Sequence, residues 1–169
     1  QSSETYVGWK WKANGGSTTT NDASATSVGT IDSVYQANTT AGFSIVSYTG
    51  TGSAGSLAHG LGATPHLMIV KNRSKGAGES WLVYHHKNTS APETDFLLLN
   101  TTSATADSDA HWNDTAPTST VFSVKDDDST NDSGETFISY LFTEIQGYSK
   151  FGSYKGNENA DGPFVYTGF

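Results

Sequence analysis

Apolar and polar positions alternate with a period of two through much of the chain, the spacing that sends successive side chains to opposite faces of a strand. Glu4 to Lys12 sets Val7, Trp9 and Trp11 against Tyr6, Gly8, Lys10 and Lys12 and predicts a strand. Phe43 to Thr49 alternates in the same way until Gly50, Gly52 and Gly55 break it into a turn. His66 to Asn72 is a continuous apolar run closed by Lys71 and Asn72, the pattern of a central strand covered on both faces. Ser80 to His86 and Asp95 to Asn100 predict two more strands, joined by a connection containing Pro92. Thr120 to Lys125 and Glu135 to Thr143 read as a pair around an acidic turn, and Tyr148 to Tyr154 and Pro163 to Thr167 as the last strands. From Ala13 to Thr40 only Val28, Ile31, Val34 and Tyr35 anchor a Gly, Ser, Thr, Asn and Asp stretch, which predicts a long loop with at most one short strand. The whole predicts an all-β, antiparallel, sandwich-like module with long Gly/Ser/Thr-rich loops.

The chain also repeats itself. Ser3-Glu4-Thr5-Tyr6-Val7 recurs as Gly134-Glu135-Thr136-Phe137-Ile138, and Gly8-Trp9-Lys10-Trp11 is answered by Ser139-Tyr140-Leu141-Phe142, at an offset of 131. Gly42-Phe43-Ser44 and Ser47-Tyr48-Thr49-Gly50 recur as Gly147-Tyr148-Ser149 and Ser153-Tyr154-Lys155-Gly156, at offsets of 105 and 106. On this reading residues 1–12 are the terminal strand of a preceding repeat and 13–41 a loop or linker. Residues 42–146 are the central β module, and 147–169 the first strands of a following repeat. The two ends are then complementary parts of one unit, able to pair with each other or with neighbouring copies.

Composition narrows the function. Ser and Thr fill 45 of the 169 positions and Gly another 18, which suits polar-faced strands and turns rather than helices. Nine basic against 17 acidic residues give a net charge of −8, so a phosphate backbone is repelled and no nucleic-acid partner is expected. No cysteine is present, which excludes disulfides and thiolate metal sites and leaves core packing, a metal or assembly to stabilise the domain. No apolar run approaches the roughly 18 residues of a membrane helix, so membrane insertion is not expected. The start at Gln1, without Met or a signal-like apolar region, reads as a processed or excised end.

Several of these segments are recognisable together. They are Tyr48-Thr49-Gly50, His59-Gly60-Leu61-Gly62 with Pro65, Ile69-Val70-Lys71-Asn72-Arg73, Trp81-Leu82-Val83-Tyr84-His85, and Gly156 through Asp161-Gly162-Pro163-Phe164-Val165-Tyr166-Thr167-Gly168-Phe169. Over nearly its whole length the chain resembles an uncharacterised repeat domain of marine bacteriophage structural proteins. In that family the domain often lies downstream of a concanavalin-like, laminin-G-type module. The resemblance implies a place on the virion surface or in a tail fibre, contact with the host, and no catalysis. The laminin-G-type module itself is not in this sequence, so its sugar binding does not transfer.

Candidate chemistry is sparse. Asp126, Asp128 and Asp132, trailed by Gly134 and Glu135, have the oxygen-ligand spacing of a calcium loop, although the register is not that of an EF-hand and the flanks are strands. A solvated hairpin turn accounts for the same residues, and calcium is the one cofactor the sequence suggests. Trp9, Trp11, Trp81 and Trp112 offer faces for sugar stacking. Trp112, in the polar His111-Trp112-Asn113-Asp114 segment, is the one expected at the surface, so Trp112, His111 and Asn113 are the candidate glycan contacts. His59 reads as a turn histidine, while His85 and His86 alternate in direction and are not expected to chelate one ion with the distant His66 and His111. Six Asn-x-Ser/Thr sequons reflect the abundance of those residues. No nucleophile elbow, phosphate loop, carboxylate pair or zinc-protease motif is present, and no enzyme is expected.

The expectation is therefore a structural component of a phage tail fibre or virion-surface appendage, extracellular and adhesive toward host-surface glycan. Its main partners are other copies of itself or neighbouring repeats, with a trimer favoured. The alternatives are a carbohydrate-binding module of a secreted or cell-surface bacterial protein, and a subunit of an extracellular filament.

Overall fold

A computed structural model describes residues 5–168. The described residues form ten strands and two one-turn α-helices: β1 (Thr19–Asn21), α1 (Ala23–Thr26), β2 (Ser33–Asn38), β3 (Phe43–Thr49), β4 (Gly55–Ala58), β5 (Leu67–Asn72), β6 (Trp81–His85), β7 (Asp95–Leu98), β8 (Ala106–Asp107), α2 (Asp109–Trp112), β9 (Val121–Val124) and β10 (Thr136–Phe142). Eight strands make one sheet in the order β1-β2-β3-β10-β5-β6-β7-β8, every neighbour antiparallel, and β4 and β9 pair as a small second sheet. The fold is all-β and sandwich-like, as the alternation predicts.

Burial follows the period of two. On β3, Val46 and Tyr48 point inward, on β10 Phe137 and Leu141, on β5 Met68 and Val70, and on β6 Leu82 and Tyr84. Leu57 of β4 and Phe122 and Val124 of β9 close over them, with Trp112 of α2 filling one end of the core. Each fully buried Phe or Leu contributes about 1.5–3 kcal/mol. Tyr48 stacks on its cross-strand partner Phe137 at 5.1 Å. Both-face apolar character explains why β10 and β5 lie at the centre: Ile138, Tyr140 and Phe142 occupy the other side of the strand that buries Phe137 and Leu141.

Four expectations are corrected. Val121–Val124 and Thr136–Phe142 are not hairpin partners, since β9 joins β4 while β10 inserts between β3 and β5. The acidic segment is thus a crossover between two layers, pinned by side chains that a free turn would leave in water. Thr130 and Asn131 are fully buried, and the Asn131 amide donates to the Ser53 and Lys125 carbonyls while its oxygen accepts from the Thr51 N–H. Residues 13–41 are more than a loop with one strand, because β1, α1 and β2 extend the sheet. Their polar side chains stabilise turns in place of apolar burial: Asp22 caps α1 by accepting from the Ser24 and Ala25 N–H groups.

The remaining corrections concern the ends. Glu4 lies outside the described residues, and residues 5–12 carry no strand despite their alternation. Residues 148–154 and 163–167 likewise carry no strand, apart from a single bridge between Ile145 and Ser149. The 134–142 copy of the repeat is therefore the middle of the sheet, whereas the 5–11 copy is unpaired.

Candidate binding surface

The outer face of the large sheet is apolar along its middle. Ile45, Tyr140, Ile69 and Val83 stand in one row across β3, β10, β5 and β6, and Phe43, Phe142 and Leu67 in the next. A sheet face of this kind normally needs a second layer, and the described chain supplies a strap together with Phe151, which packs on Phe142 at 6.0 Å. Residues 9–11 cross it, with Trp11 packed on Phe43 at 6.1 Å and edge-on to Phe142 at 5.5 Å, and Trp9 stacked on Trp11 at 6.2 Å. The Asn38 amide holds the strap from the side by donating to the Lys12 carbonyl at 3.1 Å. Between strap and sheet lies an open cleft of about 770 Å³, walled by Trp9 and Trp11 at one side and by Trp81 and Leu99 at the other.

Three of the four tryptophans thus share one surface, and Trp112 is not among them. It is 1% exposed, packs edge-on to Tyr84 at 6.2 Å, and donates its indole N–H to the Asp95 carbonyl at 3.0 Å. His111 is buried beside Phe96, 4.2 Å between ring centres, and its Nδ1 lies 3.3 Å from Asp127. Asn113 is the left-handed residue that ends α2, its N–H donating to the Asp109 carbonyl. The expectation that Trp112 stands at the surface is overturned: Trp112 and His111 are buried, and the polar Ser108 and Asn113 beside them are the caps of a one-turn helix. Contacts offset the partial burial of Asp127. Desolvation pushes its carboxyl up, but the close approach of His111 and the hydrogen bond from the Ser129 N–H outweigh it and hold it below the usual range.

Of the four calcium candidates, Asp128 and Asp132 converge, and they do so on a cation already present. The Lys75 ammonium lies 2.9 Å from Asp128 Oδ2 and 2.7 Å from Asp132 Oδ2. These hydrogen bonds raise the Lys75 pKa and lower that of Asp132. Asp126 and Glu135 do not join that contact, and no group of three or more metal-binding side chains is found among the described residues. Asn72 sets this corner: its amide donates to the Asp128 carbonyl while its oxygen accepts from the Ser74 and Lys75 N–H groups.

Four of the five histidines, His59, His66, His85 and His86, bond the backbone. His59 is fully buried; its Nδ1 accepts from the Leu61 N–H, which leaves Nε2 to donate to the Thr118 carbonyl. Burial pushes its pKa down to about 4. His66 and His86, far apart in sequence, meet edge-on at 4.5 Å, with Glu144 3.5 Å from His86. His66 is held below the usual histidine range, first by burial and then by His86.

The fold and this surface define a β-sandwich-like module whose conspicuous feature is an aromatic face rather than a cluster of reactive groups. The chain belongs to the family described as Domain of unknown function (DUF7483), whose model matches residues 1–169. No curated protein and no solved structure matches it.

Proposed function

We propose that this domain is a non-catalytic structural module of a phage tail fibre or other virion-surface appendage, and that it works by assembling with copies of itself. One observation carries the assembly reading. Of the ten large hydrophobic side chains most open to solvent among the described residues, nine lie in the two end segments, within residues 5–12 and 147–168. Scattered apolar exposure is ordinary on a soluble domain, but exposure concentrated in two segments marks surfaces that are covered in use. The virion assignment is supported by the sequence resemblance alone. The non-catalytic part is supported by His59, which is fully buried with both ring nitrogens bonded to the backbone. Light scattering across a range of protein concentrations tests assembly: a discrete oligomer, with a trimer expected for a fibre, supports it, and a monomer throughout sinks it. Labelled antibody on intact particles tests the virion assignment.

A second reading, adhesion to a host glycan, is favoured by the meeting of Trp9, Trp11 and Trp81 at one cleft, since exposed indole faces suit the apolar faces of sugars. Glycan-array binding that is lost in Trp9→Ala and Trp81→Ala supports it, and no binding by the unaltered chain removes it.

A further inference from the structure

We infer that residues 5–11 of one copy pair as an antiparallel strand with residues 148–155 of a second copy, in the register that joins β10 to β3. This inference rests on the assembly reading above and supplies its geometry.

The end segments are sequence counterparts of two particular strands. Residues 5–11 match Thr136–Phe142, which is β10, and residues 148–155 match Phe43–Thr49, which is β3, with one residue inserted. Within the fold β10 and β3 pair along their whole lengths, from Thr136 opposite Thr49 to Phe142 opposite Phe43. The chain therefore carries, at its two ends, a second version of its most continuous strand pair. In one copy residues 5–11 have no ladder partner, and residues 148–151 are held only by their own chain, through the Ile145–Ser149 bridge and the Phe151 N–H to Glu144, contacts that full pairing with a second copy would replace. Transferring the observed register places Thr5 opposite Lys155, Tyr6 opposite Tyr154, Val7 opposite Ser153, Lys10 opposite Ser149 and Trp11 opposite Tyr148.

Side-chain exposure shows what the pairing would relieve. Phe137 and Tyr48 are 0% and 6% exposed and stacked on each other; their counterparts Tyr6 and Tyr154 are 84% and 71% exposed. Phe142 and Phe43 lie 4.8 Å apart, and their counterparts are Trp11 and Tyr148. Unpaired strand edges flanked by aromatic side chains are templates for complementary strands of another chain. One counterpart differs in kind, since Lys10 stands where Leu141 is buried. Lys10 is exposed while its neighbour Trp11 packs on the sheet, and a lysine at that position keeps its ammonium in water. Because the two halves are different segments, the contact is head-to-tail, and it closes only as a ring, of which a trimer is one.

The chain has no cysteine of its own, which allows a direct test. Val7→Cys and Ser153→Cys are made in separate chains, both at exposed positions away from the core, then mixed and oxidised with glutathione. Because each chain carries one thiol, a disulfide joining position 7 to position 153 can form only between copies. The expected result is that this linked dimer exceeds the yield of an off-register mixture of Val7→Cys with Glu158→Cys by about tenfold or more, as disulfide geometry demands. Tyr6→Pro, which removes a ladder donor because its counterpart Phe137 lies among the residues of β10 that bond β3, is expected to abolish the oligomer while leaving the melting of the core unchanged. Equal yields from both mixtures, or an oligomer that survives Tyr6→Pro, overturn the pairing while the assembly reading stands. A wild-type chain that stays monomeric overturns both.

Discussion

The indole N–H of Trp112 donates to the carbonyl of Asp95, tying the short helix α2 to the first residue of β7. Seventeen residues separate the two in sequence, so the bond fixes how the segment between them folds back over the core. Trp112→Ala is expected to destabilise the domain by about 3–5 kcal/mol and Trp112→Phe by about 1–2 kcal/mol, the difference being cavity against lost hydrogen bond. Urea denaturation checks both values.

Stability is expected to fall as the medium is acidified. His59 titrates at about 4 in the folded chain, against about 6.5 when unfolded, so the unfolded state binds the extra proton between those values. Stability from this neutral histidine is complete above about pH 6.5 and is lost as pH falls toward 4, by up to about 3 kcal/mol. His66, shifted in the same direction, adds to the slope. In His59→Gln, denaturation curves across this range should show a markedly flatter pH dependence; an unchanged slope would show that His59 is not its source.

Lys75 binds Asp128 and Asp132 at the surface, and salt should weaken that contact. The raised Lys75 pKa and the lowered Asp132 pKa define its window: the attraction is lost as acid protonates Asp132 and as alkali deprotonates Lys75. With the ammonium between the carboxylates, millimolar calcium should leave the wild-type melting temperature unchanged. In Lys75→Ala the two carboxylates face each other without a cation, and calcium should raise the melting temperature. Scanning calorimetry with calcium and with chelator decides this, and a rise in the wild type would restore calcium to the loop.

Gly60 is held in the left-handed region at φ +70°, and a Cβ there would stand 2.2 Å from the Tyr35 ring. Gly62 has a similar φ of +69° with open space around it. Gly62→Ala should cost about 1 kcal/mol through backbone strain alone, and Gly60→Ala distinctly more because Tyr35 must move. Melting temperatures of the two variants separate strain from collision.

β3 was legible in the alternation of Phe43 to Thr49 and β5 in the continuous apolar run from His66, and β6 and β10 lie within the predicted Ser80–His86 and Glu135–Thr143 strands. β4 was missed because Gly55-Ser56-Leu57-Ala58 offers one large apolar residue. Residues 13–41 were allowed at most one short strand, and the second went unread because Asn21 of β1 and Gln36 and Asn38 of β2 contribute amide hydrogen bonds rather than apolar mass. The order of strands was not legible either, since nothing local to Thr136–Phe142 distinguishes a hairpin partner of β9 from a strand inserted elsewhere. At the candidate surface, Trp9, Trp11 and Trp81 were visible as aromatics, but their convergence depends on a strap that crosses β10 rather than joining it. Trp112 misled because capping residues and solvent-facing residues have the same chemistry, and its acceptor lies on a distant strand.

The central position of β10 has a consequence for biosynthesis. While the ribosome is still adding residues up to Phe142, β3 and β5 have no strand between them, and both of their facing edges are open. Nascent chains are then most prone to mispairing with one another, and a stop codon upstream of Thr136 would leave a sheet split into two halves.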